Sequence, residues 1–462
     1  MKTIFITINR GLLARNVLRT NILKILKSRE DLRIIIFVPQ GVPEHFRKEF
    51  SDGEKVIIEE LIPIRRTWFR KHIFTPLLKG MVLTNATRQL ERFGTGTKRK
   101  NSILRYWAYL AFFWPLSRLV FFKKFFHYLE DKIYSDKEYE VYFEKYSPDL
   151  VLTTTVFSLA DVAMNKIAKR KGVLSVGMAK SWDNLDKYLL QANPKKIIAQ
   201  NEHLKNSAIN YHMFEPEDIF LAGFPQFDIY ADESVYFGRE EFFKKMGIPA
   251  DHKILFFGSE GPLSRDDEDI VDIIYNFMKN GELKYNCSLI LRPHPMDSHL
   301  KRFEKFKNLP NIHIADYSIG DYFPDHWDPS REEMALFTNI LRYSDVTINT
   351  FSTLSLDASC LDKPVINIAF DGYKIRPRGH SVLDVYKREH YKDVMEKKAT
   401  RLAKSAGELK DLINMYLSDP SIDREQRAAL RQSSCYFDGK AGQRVADYLL
   451  SEIYKNKESA DL

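Results

Sequence analysis

The sequence predicts an α/β protein of two Rossmann-like domains facing each other across a cleft, with a helical, basic-aromatic insertion in the first. Three observations carry that expectation. Runs of strand length recur along the chain with helical stretches between them, and several, such as 32–38, are almost wholly apolar rather than alternating, as in parallel sheets covered on both faces. At 462 residues the chain is long for one hydrophobic core and fits two domains of about 200 residues each. One segment, 65–134, breaks the rhythm and has a composition of its own.

The first domain is read over 1–228. Residues 2–7 form a strand, Asn9-Arg-Gly11 the loop after it, and 12–27 a helix with Leu13, Val17, Leu18, Ile22, Ile25 and Leu26 on its apolar face. Strands over 32–38 and 56–61 complete a βαβ opening. The first apolar run is short and alternating, which makes it a strand rather than an export signal and places the protein in the cytoplasm. The loop lacks the spaced glycines of a dinucleotide fingerprint. Arg10 and Arg15 either face the cleft or are solvated charges at a helix end.

Segment 65–134 holds most of the positive charge. Fifteen Lys or Arg stand against three acids between Arg65 and Lys132, a net of twelve where the whole chain carries +8. Trp68, Phe69, Trp107, Phe112, Phe113, Trp114, Phe121, Phe122, Phe125 and Phe126 are interleaved with them. The longest uncharged window, 106–117, is too short to span a bilayer. Rings and cations together suit an anionic membrane surface, with rings at headgroup depth. The rival reading is that the rings pack on the sheet while the cations snorkel. Nucleic acid is not an expected partner, for no recognisable module is present.

Strands over 149–153, 174–178 and 197–201 and a helix over 159–171 restore the sheet. The polar loop Lys180-Ser-Trp-Asp-Asn184 follows the second of these, with Trp182 available to stack and Asp183 to accept a proton or to cap its own loop. A Gly-Phe-Pro turn within 219–228 closes the domain. The second domain, 229–440, repeats the rhythm with strands at 254–257, 288–291, 312–315, 346–349 and 365–368 and helices at 266–279, 331–343 and 354–361. Amphipathic helices over 402–417 and 441–454 follow, the second within a terminal segment, 441–462, suited to cross back to the first domain.

Three strand ends of the second domain carry the groups that chemistry needs. In open α/β sheets ligands bind at the carboxyl ends of strands. Leu289-Ile-Leu-Arg-Pro-His-Pro295 runs from a buried strand into a rigid turn presenting Arg292 and His294. The turn Thr350-Phe-Ser-Thr353 opens a helix, so Thr350, Ser352 and Thr353 either seat an anion or cap the helix. Gly258-Ser-Glu-Gly-Pro262 precedes a helix whose own acids occupy its dipole. Gly258 and Gly261 therefore let the backbone approach a base or sugar, with Glu260 in the cleft or, alternatively, solvated. Asp357, one turn beyond Thr353, either accepts sugar hydroxyls or is a surface charge. Phosphate is the guest that these groups fit, with Arg376 as a further cation. No His/Cys/Asp cluster has metal spacing, neither a Walker loop nor a nucleophile elbow is present, and Cys287, Cys360 and Cys435 read as packed thiols, so neither metal nor cofactor is expected.

Arg292-Pro-His-Pro295, the run from Asp345 through Thr350-Phe-Ser-Thr353 to Asp357, and Lys363-Pro-Val-Ile366 resemble the C-terminal half of GT-B glycosyltransferases of bacterial surface polysaccharide synthesis. The resemblance is to the group containing CDP-glycerol glycerophosphotransferases, capsule Kdo transferases and bacterial sialyltransferases. Trp182-Asp-Asn184, Gly223-Phe-Pro-Gln-Phe-Asp228 and Asp438-Gly-Lys-Ala441 are similar to segments of related surface-carbohydrate proteins. The resemblance implies a metal-independent transferase, bound peripherally at the inner face of the membrane, moving a sugar or polyol phosphate from a nucleotide-activated donor to a lipid-linked or polysaccharide acceptor. It places His294, Ser352 and Thr353 at the donor phosphate and Glu260 where some members carry an acidic-Gly motif. A cytidine nucleotide is the preferred donor. The alternatives are a UDP-sugar 2-epimerase-like enzyme and a non-catalytic scaffold in polysaccharide assembly.

Overall fold

The computed structural model describes residues 1–93, 102–261, 264–294, 302–315, 322–377 and 380–458. Pro262, Pro295 and the cations Lys98, Arg99 and Lys100 lie outside the described residues. Seven strands form the first sheet: β1 (Lys2–Thr7), β2 (Leu32–Val38), β3 (Val56–Glu60), β4 (Leu150–Thr153), β5 (Leu174–Met178), β6 (Lys196–Ala199) and β7 (Ile219–Leu221). Their order is β3-β2-β1-β4-β5-β6-β7, all parallel. Six form the second: β8 (Lys253–Gly258), β9 (Cys287–Arg292), β10 (Ile312–Ile314), β11 (Val346–Asn349), β12 (Val365–Ile368) and β13 (Arg401–Ala403). Their order is β10-β9-β8-β11-β12-β13, again all parallel. The protein is thus α/β with two Rossmann-like sheets. Strands such as β2 and β9 are largely apolar because helices cover both faces; Ile34, Ile35, Ile36, Leu289, Ile290 and Leu291 are wholly buried.

Two helices differ from expectation. The stretch 12–27 is not one helix: Gly11–Leu13 and Ala14–Leu18 form a first piece, and Asn21–Ser28 a second. Thr20 divides them, its hydroxyl accepting from the Ile22 amide at 3.3 Å, because a hydroxyl at that place competes for backbone that would continue the helix. The stretch 402–417 begins as β13, and its helix, Ala406–Ser418, starts only after Ser405 accepts from the Glu408 amide.

The closing helix, Ala441–Glu458, sets Val445, Leu449 and Ile453 in the core of the first sheet, and Tyr448 stacks on Phe220 at 4.1 Å. Asp228 accepts from the amides of Ala441 and Gly442 at 2.9 and 2.7 Å, so the Gly-Phe-Pro-Gln-Phe-Asp and Asp-Gly-Lys-Ala segments hold each other.

The basic-aromatic segment folds as short helical turns at Arg70–Phe74 and Thr75–Gly80, then helices Asn85–Phe93, Ile103–Arg118 and Val120–Ile133. Its rings divide. Phe74 and Phe113 are buried with Leu78, Met81, Val82 and Leu189, and Arg70 is buried against Glu130 and Asp136. Trp68, Trp107 and Phe121 are 69%, 61% and 72% exposed, and Phe112, Trp114 and Phe125 are exposed too, so the segment has an apolar core and an apolar outer face. Among the described residues no helix is long and apolar enough to cross a membrane.

Candidate functional site

Topology brings the predicted strand ends together. β9, β8 and β11 are neighbours in the middle of the second sheet, so their carboxyl ends present His294, Glu260 and Ser352 side by side. The loop after β5 in the first domain faces them. Between the two lies a cavity of about 1190 Å³, lined by Arg10, Asp183, Gly258, Glu260, Arg292, His294, Ser352, Thr353 and Asp357.

Thr350 and Gly261 are not among the residues that line it. Thr350 is 2% exposed and turns its hydroxyl toward the buried Asp267 at 3.4 Å. Gly261, at φ +68°, lies under His294: a Cβ there would stand 3.0 Å from the imidazole. Gly258 is likewise filled from within the protein, since its Cβ would meet Leu354 at 2.4 Å. Both glycines thus admit neighbouring side chains, and Gly261 sets the imidazole in place.

The turn after β11 is tightly made. Phe351 takes a left-handed φ of 48°, and its amide donates to the Tyr386 hydroxyl at 3.2 Å. Ser352 donates its amide to Asn349 at 3.3 Å, and Thr353 makes no capping bond. The helix that follows, Leu354–Cys360, is seven residues long, so the hydroxyls are the turn's main polar offering. Asp357 is 8% exposed and accepts from the Tyr230 hydroxyl at 2.5 Å; the surface-charge reading of it does not hold. Arg292 pairs with Glu333 at 2.7 Å and lies 4.8 Å over Phe337, leaving Nη1 buried with no partner at the cavity wall. Arg376 is held by Asp266 at 2.6 and 2.7 Å.

The first domain supplies the opposing wall. Trp182 is 3% exposed and packs edge-on against His390 at 5.0 Å, so it joins the domains at the cavity wall. Asp183 pairs with Lys187 at 2.5 Å. Burial pushes its carboxyl up, but Lys187, His390 and Lys180 outweigh burial and hold it well below the carboxylate range. Glu260 behaves oppositely: burial, with Asp267 and Asp183 adding to it, lifts its carboxyl from 4.5 to about 8 against the opposing bond from Ser352. Burial likewise raises Asp267 and Asp357 to about 6 each. His390, driven to about 4 by burial, is a neutral imidazole near pH 7, and its Nδ1 is buried without a hydrogen bond. Arg388 feels both Asp183 and Glu260.

Sequence reasoning missed Arg388, His390 and Asp325. Arg388 follows the short turn Val382–Lys387 and His390 lies within the next, Glu389–Tyr391; neither carries a periodic signal, and both enter the cleft because Tyr386 and Tyr391 pack on Phe351. Asp325 reaches from the second domain to accept from the amides of Gly11 and Leu12 at 3.0 and 3.2 Å, occupying the turn at Asn9-Arg-Gly11.

Residues 131–451 match the family model described as CDP-Glycerol:Poly(glycerophosphate) glycerophosphotransferase. No curated protein matches the chain. Among solved structures, a UDP co-structure of MnaA from S. aureus is similar at 12% identity and TM-score 0.55, covering 98% of this chain and 96% of that one. A structure described as a UDP-N-acetylglucosamine 2-epimerase from Listeria monocytogenes is similar at 12% identity and TM-score 0.54, covering 98% of each. The wall teichoic acid polymerase TagF is similar at 12% identity and TM-score 0.49, covering 98% of this chain and 90% of that one. At such identities the likeness of the first two is one of fold.

Proposed function

This chain belongs to the CDP-glycerol:poly(glycerophosphate) glycerophosphotransferase family, and from that premise we propose that it moves glycerol phosphate or a related polyol phosphate from a cytidine diphosphate donor to a hydroxyl of a lipid-linked or polysaccharide acceptor. The observation that supports the proposal is one wall of the cleft: His294, Ser352, Thr353 and Arg292 line a single cavity, and the buried Nη1 of Arg292 has no hydrogen-bond partner. These are groups that bind phosphate oxygens. The nucleotide occupies this wall, and the acceptor enters from the side of Arg10 and Asp183.

In the transfer the acceptor oxygen forms a bond to the phosphorus that bears the polyol, and the bond from that phosphorus to the departing cytidine monophosphate breaks. The acceptor's proton passes to Glu260. A carboxyl near pKa 8 is matched to that task, whereas Asp183, held ionised by Lys187, is a weak base and serves to orient the acceptor hydroxyl. Cationic and hydroxyl groups handle the phosphate, so activity is expected to survive EDTA.

The exposed rings and cations of the insertion dock the enzyme at the cytoplasmic face of the membrane, where a lipid-linked acceptor is found. The test is incubation with CDP-glycerol and a lipid-linked glycerol phosphate acceptor. Release of cytidine monophosphate that depends on acceptor is the expected result. Isomerisation of a UDP-sugar without acceptor would instead favour the epimerase reading, and no turnover or nucleotide binding at all would favour the scaffold.

A further inference from the structure

A second cavity, of about 580 Å³, lies away from the cleft where the helices Asn85–Phe93, Ile103–Arg118 and Val120–Ile133 meet the end of the helix Glu202–His212. Four cations line it, Arg88, Arg118, Lys123 and Lys124, against one carboxylate, Glu215. None of the four forms an ion pair among the described residues. Lys123 is 4% exposed and donates to the carbonyls of Tyr211 at 3.0 Å and Asn210 at 3.5 Å, which closes the end of that helix but leaves its charge unneutralised. Burial accordingly lowers its ammonium to about 8. The Nε of Arg88 is buried with no hydrogen-bond partner. Arg118 lies 4.0 Å over the ring of Trp114, which fixes its guanidinium at the rim.

Four cations converging on a concave site, one with an orphaned donor, describe a receptor for a compact anion. The rim gives the anion its setting: Trp114 and Val120 are about half exposed, and Leu119 and Phe121 beside them are 51% and 72% exposed. A headgroup that entered this cavity would keep its acyl chains along that apolar rim. We propose that this cavity is a phosphate-ester site, separate from the catalytic cleft, that takes the headgroup of an anionic phospholipid. Its membrane source rests on the docking reading above; the recognition of a phosphate ester does not.

The experiment compares wild type with the Arg88→Gln/Lys124→Gln double variant for binding to phosphatidylcholine vesicles with and without phosphatidylglycerol. Both variants lie outside the catalytic cleft, so CDP binding serves as the control for folding. The expected result is that the double variant loses about tenfold of the preference for phosphatidylglycerol while keeping its weaker binding to pure phosphatidylcholine. An unchanged preference overturns the proposal. If the double variant fails to fold, Lys124→Gln alone, on an exposed helical face, is expected to lose a few-fold. If wild type binds no vesicle, calorimetry with glycerol 3-phosphate in saturating CDP decides: binding that the variant loses supports the site with a soluble ester as its ligand, and absence of binding overturns it. These outcomes separate from failure of the docking reading, which Trp107→Ser/Phe121→Ser tests by loss of binding to every vesicle.

Discussion

Glu260 holds its proton to about pH 8 while hydrogen-bonded by Ser352, so the reaction should follow its ionisation. The rate constant kcat/KM of the wild type is expected to rise with pH and level off above about 8. In Glu260→Gln it should be lower by roughly 10²-fold or more and lose that rise, read from a pH profile with CDP-glycerol. Stability moves the other way. The folded value lies above the ordinary 4.5, so the contribution of this group is complete below pH 4.5 and is lost as pH rises through about 8. At pH 7 the Gln variant should therefore be more stable than wild type by up to about 3 kcal/mol, less where cavity water screens the charge, as measured by urea unfolding at pH 5 and pH 7. A variant that is inactive and also destabilised at pH 7 would contradict the account of this carboxyl. That His294, Ser352 and Glu260 stand at strand ends of one sheet, on one cavity, was legible in the sequence, because each sits at the end of an apolar run that announces its own strand. Their strengths as acid or base were not legible: the difference between Glu260 and Asp183 comes from Lys187, His390 and Asp267, which are set around them by tertiary packing.

Elements from opposite domains are locked by contacts that no local pattern announces. The segment around Trp327 lies on the first helix: Asp325 takes the amides of Gly11 and Leu12, Arg15 stands 5.2 Å over the Trp327 ring, and Arg19 binds Asp328 at 2.5 Å. A Cβ at Gly11 would fall 1.4 Å from the Trp327 carbonyl oxygen. Gly11→Ala is expected to cost about 2–3 kcal/mol through forced displacement of that backbone, detectable by urea unfolding and a shifted tryptophan emission. Glu389 makes a similar link, accepting from the amides of Asn85 and Ala86, while the adjacent Arg388 donates to Gln89 at 3.0 Å and lines the cleft. The insertion is thus joined to the wall of the cleft. Strand runs such as Ile34-Ile35-Ile36 could be read from sequence because burial on both faces demands apolar residues throughout. Arg401–Ala403 could not, since an edge strand of three residues with an exposed Arg has no such demand. The division of residues 12–27 hung on one hydroxyl, that of Thr20.

At the scale of the molecule, positive charge and exposed rings gather on the insertion, while the cleft lies between the two sheets. This arrangement suits the proposed docking on a membrane with the cleft left open to a lipid-linked acceptor. Flotation with vesicles containing phosphatidylglycerol is expected to fall steeply between about 50 mM and 500 mM salt for wild type, as screening shortens the reach of the cations, and to be weak at every salt concentration for Trp107→Ser/Phe121→Ser. Flotation that ignores both salt and the ring substitutions would argue for a different face. The claim on which the rest depends is that the second domain's strand ends hold the donor's phosphates. Calorimetric titration of wild type and His294→Ala with CMP, CDP, UDP and GDP in EDTA tests it most directly. Metal-independent binding that prefers CDP, and that His294→Ala weakens at least about tenfold, is the predicted result, in keeping with loss of one charge-assisted bond to phosphate. Equal binding of CDP by wild type and variant would remove His294 from the site, and a preference for UDP would contradict the cytidine donor.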